Sequence, residues 1–185
     1  MKRTSLVILF SFLVSISVFA QLKVGDDAPQ FSATSDSNKP WNSGDIIGNK
    51  ILVVYFYPAA MTGGCTKQAC AFRDDKTKLD GLDVVVVGIS GDEVKNLAYF
   101  KKAYDLNFPL LSDQDGSIAR KFGVPVKEGG SIVRNIDGND LTLERGVTSS
   151  RWTFIIDKAG KVVYINTNVN AEEDSQQTIH VIEKL

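Results

Sequence analysis

Residues 55–75 read Y-F-Y-P-A-A-M-T-G-G-C-T-K-Q-A-C-A-F-R-D-D and contain both cysteines of the chain, Cys65 and Cys70. The stretch begins inside an apolar, β-branched run at residues 51–57, which is typical of a parallel strand buried on both faces. Residues 65–79 then contain neither proline nor glycine and have the length of a helix. A second apolar run follows at residues 84–89, so the sequence predicts a βαβ unit with the cysteines at its centre.

The alternation of helix and strand continues along the chain. Val94, Leu97 and Phe100 recur at helical spacing, and Asp137-Gly138 lies between two short apolar runs as in a β-hairpin. The further predicted elements are an irregular segment or small hairpin at 21–50, a strand at 108–111, a short helix at 117–122, a hairpin of strands 152–156 and 161–165, and a helix at 171–185. This order predicts an α/β protein with a thioredoxin-like fold, in which helices flank a central mixed β-sheet. Such a fold does not by itself specify a function.

The N-terminus has the composition of a signal peptide. Lys2 and Arg3 precede a largely apolar run at residues 6–20, which is shorter than the roughly 20 residues that span a bilayer. Val18 and Ala20 occupy the −3 and −1 positions of a cleavage site. The sequence therefore predicts a signal peptide at residues 1–20, cleavage near Ala20, and a periplasmic or secreted domain at residues 21–185 with no stable membrane association. An uncleaved N-terminal membrane anchor is the alternative.

Charge and composition narrow the range of partners. The 21 basic and 22 acidic residues are scattered without long blocks, which leaves no electrostatic footprint for a nucleic acid or an anionic membrane. A hydrophobic content of 43% in 185 residues suits one globular domain with a buried core. Partners must therefore be inferred from individual sites.

The two cysteines admit a structural or a chemical interpretation. In an oxidising compartment a cysteine pair is usually a disulfide, but a bridge across so small a loop constrains the unfolded chain little. Cys65 follows Gly63 and Gly64 at the expected start of a helix, beyond the carboxyl end of a buried strand, where ligands of open α/β sheets bind. The free N–H groups and the dipole at a helix start favour a thiolate, so we interpret Cys65 as a reactive cysteine.

Two other residues are candidates for this site. Thr62 is expected at the N-cap of the helix, where its hydroxyl could also accept a hydrogen bond from a substrate O–H group. Arg151 directly precedes the predicted strand at 152–156 and could supply a positive charge beside the thiolate, although a solvated surface position fits the sequence equally well. His180, the single histidine, is far from these residues in the sequence and is expected to be a surface or packing residue, which disfavours a Cys-His hydrolase and a structural zinc site.

The motif Pro58-x-x-x-Thr62-x-x-Cys65 resembles the active-site pattern of peroxiredoxins, and the C-x-x-x-x-C spacing that ends at Cys70 is similar to that of the bacterioferritin-comigratory, or Q, subfamily. The resemblance implies a thiol peroxidase that reduces hydrogen peroxide and organic hydroperoxides, with Cys65 as peroxidatic and Cys70 as resolving cysteine. It also implies that Thr62 and Arg151 orient the peroxide and activate the thiolate, and that Pro58 shields the pocket. A thioredoxin-like dithiol protein would be the reductant, no metal, flavin or haem cofactor would be required, and the protein would be a monomer or a weak dimer.

The sequence departs from the family pattern at several positions. Gly63 replaces a common proline, Gln68 stands where glutamate is frequent, and Ala59 stands where this subfamily often has lysine. The section at residues 124–150 is longer and more polar than the resemblance predicts. These differences bear on substrate preference and loop dynamics rather than on the reaction.

The spacing of the cysteines predicts a conformational change. On one helix the Cα atoms of Cys65 and Cys70 would lie roughly 8 to 9 Å apart. A disulfide requires Cα atoms within about 7 Å. We therefore expect a helix in the reduced protein, whose first turns unwind before the cysteines pair.

Three other functions remain compatible with an exported pair of cysteines. A thioredoxin-like thiol-disulfide oxidoreductase is the first, although such proteins normally use C-x-x-C. A copper-delivery protein is the second, although it would need an imidazole near the sulfur ligands. The third is a non-catalytic domain with a structural disulfide.

Overall fold

The computed structural model describes residues 21–185, so the predicted signal peptide lies outside the described part of the chain. The strands of the described part are β1 (Ser32–Ser35), β2 (Pro40–Asn42), β3 (Ile51–Phe56), β4 (Val84–Ser90), β5 (Leu110–Ser112), β6 (Val126–Ile136), β7 (Asn139–Ser149), β8 (Trp152–Ile156) and β9 (Val162–Asn166). The helices are α1 (Gly63–Asp74), α2 (Lys76–Gly81), α3 (Val94–Ala103), α4 (Ser117–Lys121) and α5 (Asp174–Ile182).

Seven of these strands form one mixed sheet in the order β2-β1-β5-β4-β3-β8-β9. The three strands at its centre, β3, β4 and β5, are parallel. β8 pairs with β3 in the antiparallel direction and continues through a tight turn into β9, while the β1–β2 hairpin covers the opposite edge. Because β8 runs against β3, the beginning of β8 lies next to the carboxyl end of β3, where α1 starts.

Both faces of the sheet are buried, as the continuous apolar runs predict. All six residues of β3 are buried and they alternate between two cores. Val53 and Tyr55 pack with residues of α1, α3 and α5, including Phe72. Leu52 and Val54 pack on the other face with residues of α4. The helix that carries both cysteines is therefore fixed against the sheet through its buried side.

Strands β6 and β7 form a separate two-stranded arm of eleven residues each. Asp137 and Gly138 join them with φ values of 52° and 84°, the positive values that a two-residue hairpin turn of type I′ requires. The arm packs on the start of α3, where the Asn96 side chain donates to the carbonyl of Glu144 at 2.7 Å. The predicted hairpin around Asp137-Gly138 is thus confirmed, and it extends over most of the polar section at residues 124–150.

The predicted α/β architecture with a central mixed sheet and flanking helices is confirmed, with shifted element ends. The helix expected at 65–79 begins at Gly63 and is interrupted at Asp75, and α2 follows. The Asp75 carboxylate accepts hydrogen bonds from the side chains of Ser175 and Gln176, which connects this break to α5. Within residues 21–185, no helix is both long and apolar enough to cross a membrane.

Candidate active site

Cys65 lies in the first turn of α1, beyond the carboxyl end of β3. Thr62 is the N-cap residue, with an extended backbone at φ −100° and ψ 150°, and its carbonyl accepts the N–H of Thr66 at 2.8 Å. The first N–H groups of a helix have no partner within the helix, and their partial positive charge favours an anion at this end. Cys65 is only 2% exposed, so this field acts on a sulfur that is largely removed from water.

Arg151 places a cation directly beside this sulfur. Its Nη2 atom donates a hydrogen bond to Cys65 Sγ at 3.3 Å. A Cβ atom on Gly64 would lie 3.3 Å from the same Nη2 atom, so the glycine leaves room for the guanidinium to approach. Arg151 therefore occupies the position at the thiol that the sequence allowed, rather than a solvated surface position.

A chain of buried polar groups holds the other side of the Arg151 guanidinium. Arg151 Nη1 donates to Gln68 Oε1. Gln68 Nε2 donates to Asp174 Oδ2 at 2.7 Å, and the Thr153 hydroxyl donates to the same oxygen at 2.7 Å. Burial raises the pKa of Asp174, while these two hydrogen bonds and the charge of Arg151 act in the opposite direction. These hydrogen bonds link the start of α5, through Gln68 and Arg151, to the Cys65 sulfur.

Thr62 directs its hydroxyl toward the loop instead of capping the helix. No side-chain cap forms, and Oγ1 donates to the carbonyl of Ala59 at 2.8 Å. Since the single hydroxyl proton is used in this bond, the lone pairs of Oγ1 remain able to accept a hydrogen bond. Thr62 is thus the N-cap residue by its backbone, as expected, but the expected cap by its side chain is wrong. The hydroxyl oxygen can instead accept a hydrogen bond.

Three hydrogen bonds fix the loop that connects β3 to α1. They run from Ser149 Oγ to the Tyr57 carbonyl at 3.0 Å, from the Ala60 N–H to Asp92 Oδ2 at 2.8 Å, and from Arg134 Nε to the Met61 carbonyl at 2.8 Å. Burial raises the pKa of Asp92, and its hydrogen bonds from Ala60 and Ser90 oppose that shift. Two of the three bonds come from the β6–β7 arm, so the long polar section contributes directly to the geometry of the site.

The remaining predicted residues lie around this centre. Cys70 is on α1 as expected, about one and a half turns beyond Cys65, and it is half-buried. Both cysteines are free thiols. Pro58 lies two residues beyond the end of β3 in the fixed loop and is half-buried. His180 is exposed on α5, so of the surface and packing positions expected for it, it has the surface one.

Sequence reasoning missed several residues that build the site. Gln68 stands out in the sequence only as a departure from a family pattern, and Asp174 carries no sequence signal because it lies on a different helix from Cys65. Asp92 is of a residue type that often caps helices, and it lies just before α3. The N-cap residue of α3 is Glu93, however, and Asp92 instead accepts the N–H of Ala60. These contacts are set by tertiary packing and have no fixed sequence spacing.

The sequence and the structure of this chain are both similar to those of one protein family. The AhpC/TSA family profile matches residues 24–165, a region that includes Cys65, Cys70 and Arg151 and stops before Asp174. The chain is 38% identical over 164 residues to the peroxiredoxin bcp of Haemophilus influenzae, covering 89% of this chain and 98% of that protein. It is 37% identical to the chloroplastic peroxiredoxin Q of Gentiana triflora, covering 94% and 72% of the two chains. The crystal structure of peroxidoxin BcpB from Mycobacterium tuberculosis matches with a TM-score of 0.74 and 30% identity, covering 89% of this chain and 99% of that one.

Proposed function

This chain belongs to the AhpC/TSA family of peroxiredoxins and is a thiol peroxidase, and from this premise we propose how its two cysteines act. Cys65 reduces hydrogen peroxide and organic hydroperoxides, Cys70 resolves the product within the same chain, and a thioredoxin-like dithiol protein supplies the electrons. The observation that carries the proposal is the contact of Arg151 with the Cys65 sulfur at the start of α1.

In the first step the Cys65 thiolate attacks one oxygen of the peroxide. An S–O bond forms, the O–O bond breaks, and the departing oxygen takes up a proton and leaves as water or an alcohol. Negative charge moves from the sulfur onto the departing oxygen, and donors already aimed at this region lower the energy of that transition state. Arg151 and the first N–H groups of α1 are such donors, the Thr62 hydroxyl accepts the O–H of the peroxide, and Pro58 shields the pocket.

In the second step the Cys70 thiol condenses with the sulfenic acid on Cys65. The S–O bond breaks, a disulfide forms, and water is released. The dithiol donor then reduces the disulfide by thiol exchange and becomes oxidised itself. A thioredoxin-like oxidoreductase would instead bring both sulfurs to the helix start with C-x-x-C spacing, so the position of Cys70 along α1 disfavours that alternative.

Peroxide consumption tests the proposed function. Fully reduced protein without a donor is expected to consume about one equivalent of hydrogen peroxide rapidly and then stop, because one Cys65–Cys70 disulfide forms per chain. A dithiol donor should restore continuous turnover. Protein alkylated at both cysteines serves as the control and should consume none. Failure of the reduced protein to consume peroxide would rule out the proposal.

Arg151→Met is expected to lower the rate constant for the reaction of reduced protein with hydrogen peroxide by about 10²- to 10³-fold, the usual loss for one transition-state donor. Methionine retains much of the side-chain length without the charge, so thermal unfolding should change little. Stopped-flow kinetics measures the rate. Arg120→Met is the matched control, because Arg120 donates to the Asp115 carbonyl on the surface near α4. A large loss of thermal stability with an unchanged rate would show that Arg151 is structural.

Export is a separate part of the proposal and rests on the composition of residues 1–20. Removal of these residues would release a periplasmic or secreted enzyme at residues 21–185, a monomer or weak dimer. Mass spectrometry of the protein recovered from its producing cell tests this, since the mature chain should begin at Gln21. A full-length chain in the membrane fraction would support an uncleaved anchor instead.

A further inference from the structure

Asp174 is a buried carboxylate whose presence the stability of the fold does not explain. It is 0% exposed, and its Oδ2 atom receives both hydrogen bonds of the group. Oδ1 is buried and has no hydrogen-bond partner among residues 21–185. A carboxyl group buried with one oxygen unpaired destabilises a fold relative to an apolar side chain of similar size. A role in the site would account for a side chain that is unfavourable for folding.

The chemistry of the hydrogen bonds fixes the orientation of the Gln68 amide. Asp174 Oδ2 accepts from two donors, so Gln68 must present its NH₂ group to this oxygen. The carbonyl oxygen of the planar amide then points to the other side, where Arg151 Nη1 donates to it. In the reversed orientation the NH₂ group would face the guanidinium, and two donors would oppose each other.

We propose that Asp174 is a positioning residue that fixes the amide of Gln68 so that its oxygen holds Arg151 against the Cys65 sulfur. The inference rests on the proposed function of Cys65. Asp174 acts as an acceptor rather than as a charge, because Oδ2 can receive both bonds whether or not Oδ1 carries a proton. The Thr153 hydroxyl, as the second donor to Oδ2, keeps the carboxyl group from rotating.

The other titratable groups around Asp174 do not interfere with this arrangement. Burial is the main cause that raises the pKa of the phenols of Tyr55 on β3 and Tyr164 on β9. A negative charge on Asp174 raises both pKa values further. Both phenols are therefore uncharged at neutral pH. Arg151 is the cation that acts on Asp174.

Alkylation of Cys65 tests the proposal without any peroxide chemistry. Asp174→Ala and Asp174→Asn are made in a Cys70→Ser background, and the rate of iodoacetamide modification is measured by mass spectrometry between pH 4 and pH 9. We expect Asp174→Ala to move the midpoint of the profile upward and to slow alkylation at neutral pH by about tenfold, the effect of losing one well-placed hydrogen bond. Asp174→Asn should stay within about twofold of the parent, because its carbonyl oxygen can accept the same two bonds.

Asp75→Ala is the control for a loosened helix α5. Asp75 accepts hydrogen bonds from Ser175 and Gln176 next to Asp174, so its loss weakens the docking of α5 without touching Gln68. The proposal is wrong if Asp174→Ala leaves the profile unchanged, if Asp174→Asn slows alkylation as much as Asp174→Ala, or if Asp75→Ala has the same effect. A parent protein that consumes no peroxide would refute the peroxidase mechanism while the alkylation profile still decides the role of Asp174.

Discussion

Cys65→Ser is expected to reduce peroxide consumption to the uncatalysed background, a loss of more than about a thousandfold, as for other enzymes that lose their nucleophile. A serine hydroxyl is essentially un-ionised at neutral pH and is a weak nucleophile toward an O–O bond. Arg151 and the helix start would then surround a neutral hydroxyl, so the stabilisation that they offer to charge has no reacting anion to act on. Stopped-flow and end-point peroxide assays on the reduced variant measure the loss.

Serine is close to cysteine in size, so the variant should keep the fold and the helix start. Circular dichroism and thermal unfolding provide the check, and Cys70→Ser provides the matched control, since it removes a thiol from the same helix without touching the reacting sulfur. Substantial peroxide reduction by folded Cys65→Ser protein would contradict the assignment of Cys65 as the reacting residue.

The elements that the sequence predicts best are those whose periodicity is local. The runs at residues 51–57 and 84–89 correspond closely to β3 and β4 because strands buried on both faces must be continuously apolar. Asp137-Gly138 predicts its turn because both residues tolerate positive φ. The interruption of the long helix at Asp75 has no such signal in the neighbouring residues, and the Asp75 side chain is bonded to α5, which lies about a hundred residues later in the chain.

The site was predictable where one motif contains its residues and unpredictable where several elements meet. Thr62 and Cys65 are placed by the single turn that starts α1, so their spacing is sufficient to identify them. Arg151 reaches the sulfur because β8 runs antiparallel to β3, a pairing that composition does not reveal. Asp174 joins the site only through the packing of the last helix, and no pattern in the neighbouring residues marks it.

A disulfide between Cys65 and Cys70 would require α1 to open, because the helix of the reduced protein is continuous from Gly63 to Asp74. Five residues of helix separate the two Cα atoms by roughly 8 to 9 Å. A disulfide tolerates about 7 Å. Gln68 lies between the cysteines, so unwinding also breaks its hydrogen bonds to Arg151 and Asp174. Under the proposed mechanism, these bonds keep Cys65 in place before the reaction and oppose the opening that follows it.

The second half of α1 has contacts of its own that an opening at the cysteines does not need to break. The ring of Phe72 stacks on the ring of Tyr55 in the core, with the ring centroids 5.0 Å apart and an angle of 16° between the ring planes. Arg73 Nη1 donates to the Tyr104 carbonyl at 2.6 Å. We therefore expect oxidation to increase amide exchange across residues 62–70 and to leave residues 72–74 protected, because pairing of the cysteines can open the first turns locally while the contacts of Phe72 and Arg73 persist.

Cys70→Ser is expected to leave the first peroxide reaction intact and to abolish turnover with a dithiol donor. The sulfenic acid on Cys65 then has no partner in the chain, so it should accumulate, react with a sulfenic-acid probe, and convert to sulfinic acid when peroxide is in excess. Ala71→Ser is the matched control, because it places a hydroxyl one residue further along α1 and should preserve turnover. Turnover that persists in Cys70→Ser protein would show that Cys70 is not the resolving cysteine. An oxidised parent with an undisturbed α1 and with Cys65 bridged to a second chain on a non-reducing gel would show that resolution occurs between subunits and that the intramolecular mechanism is wrong.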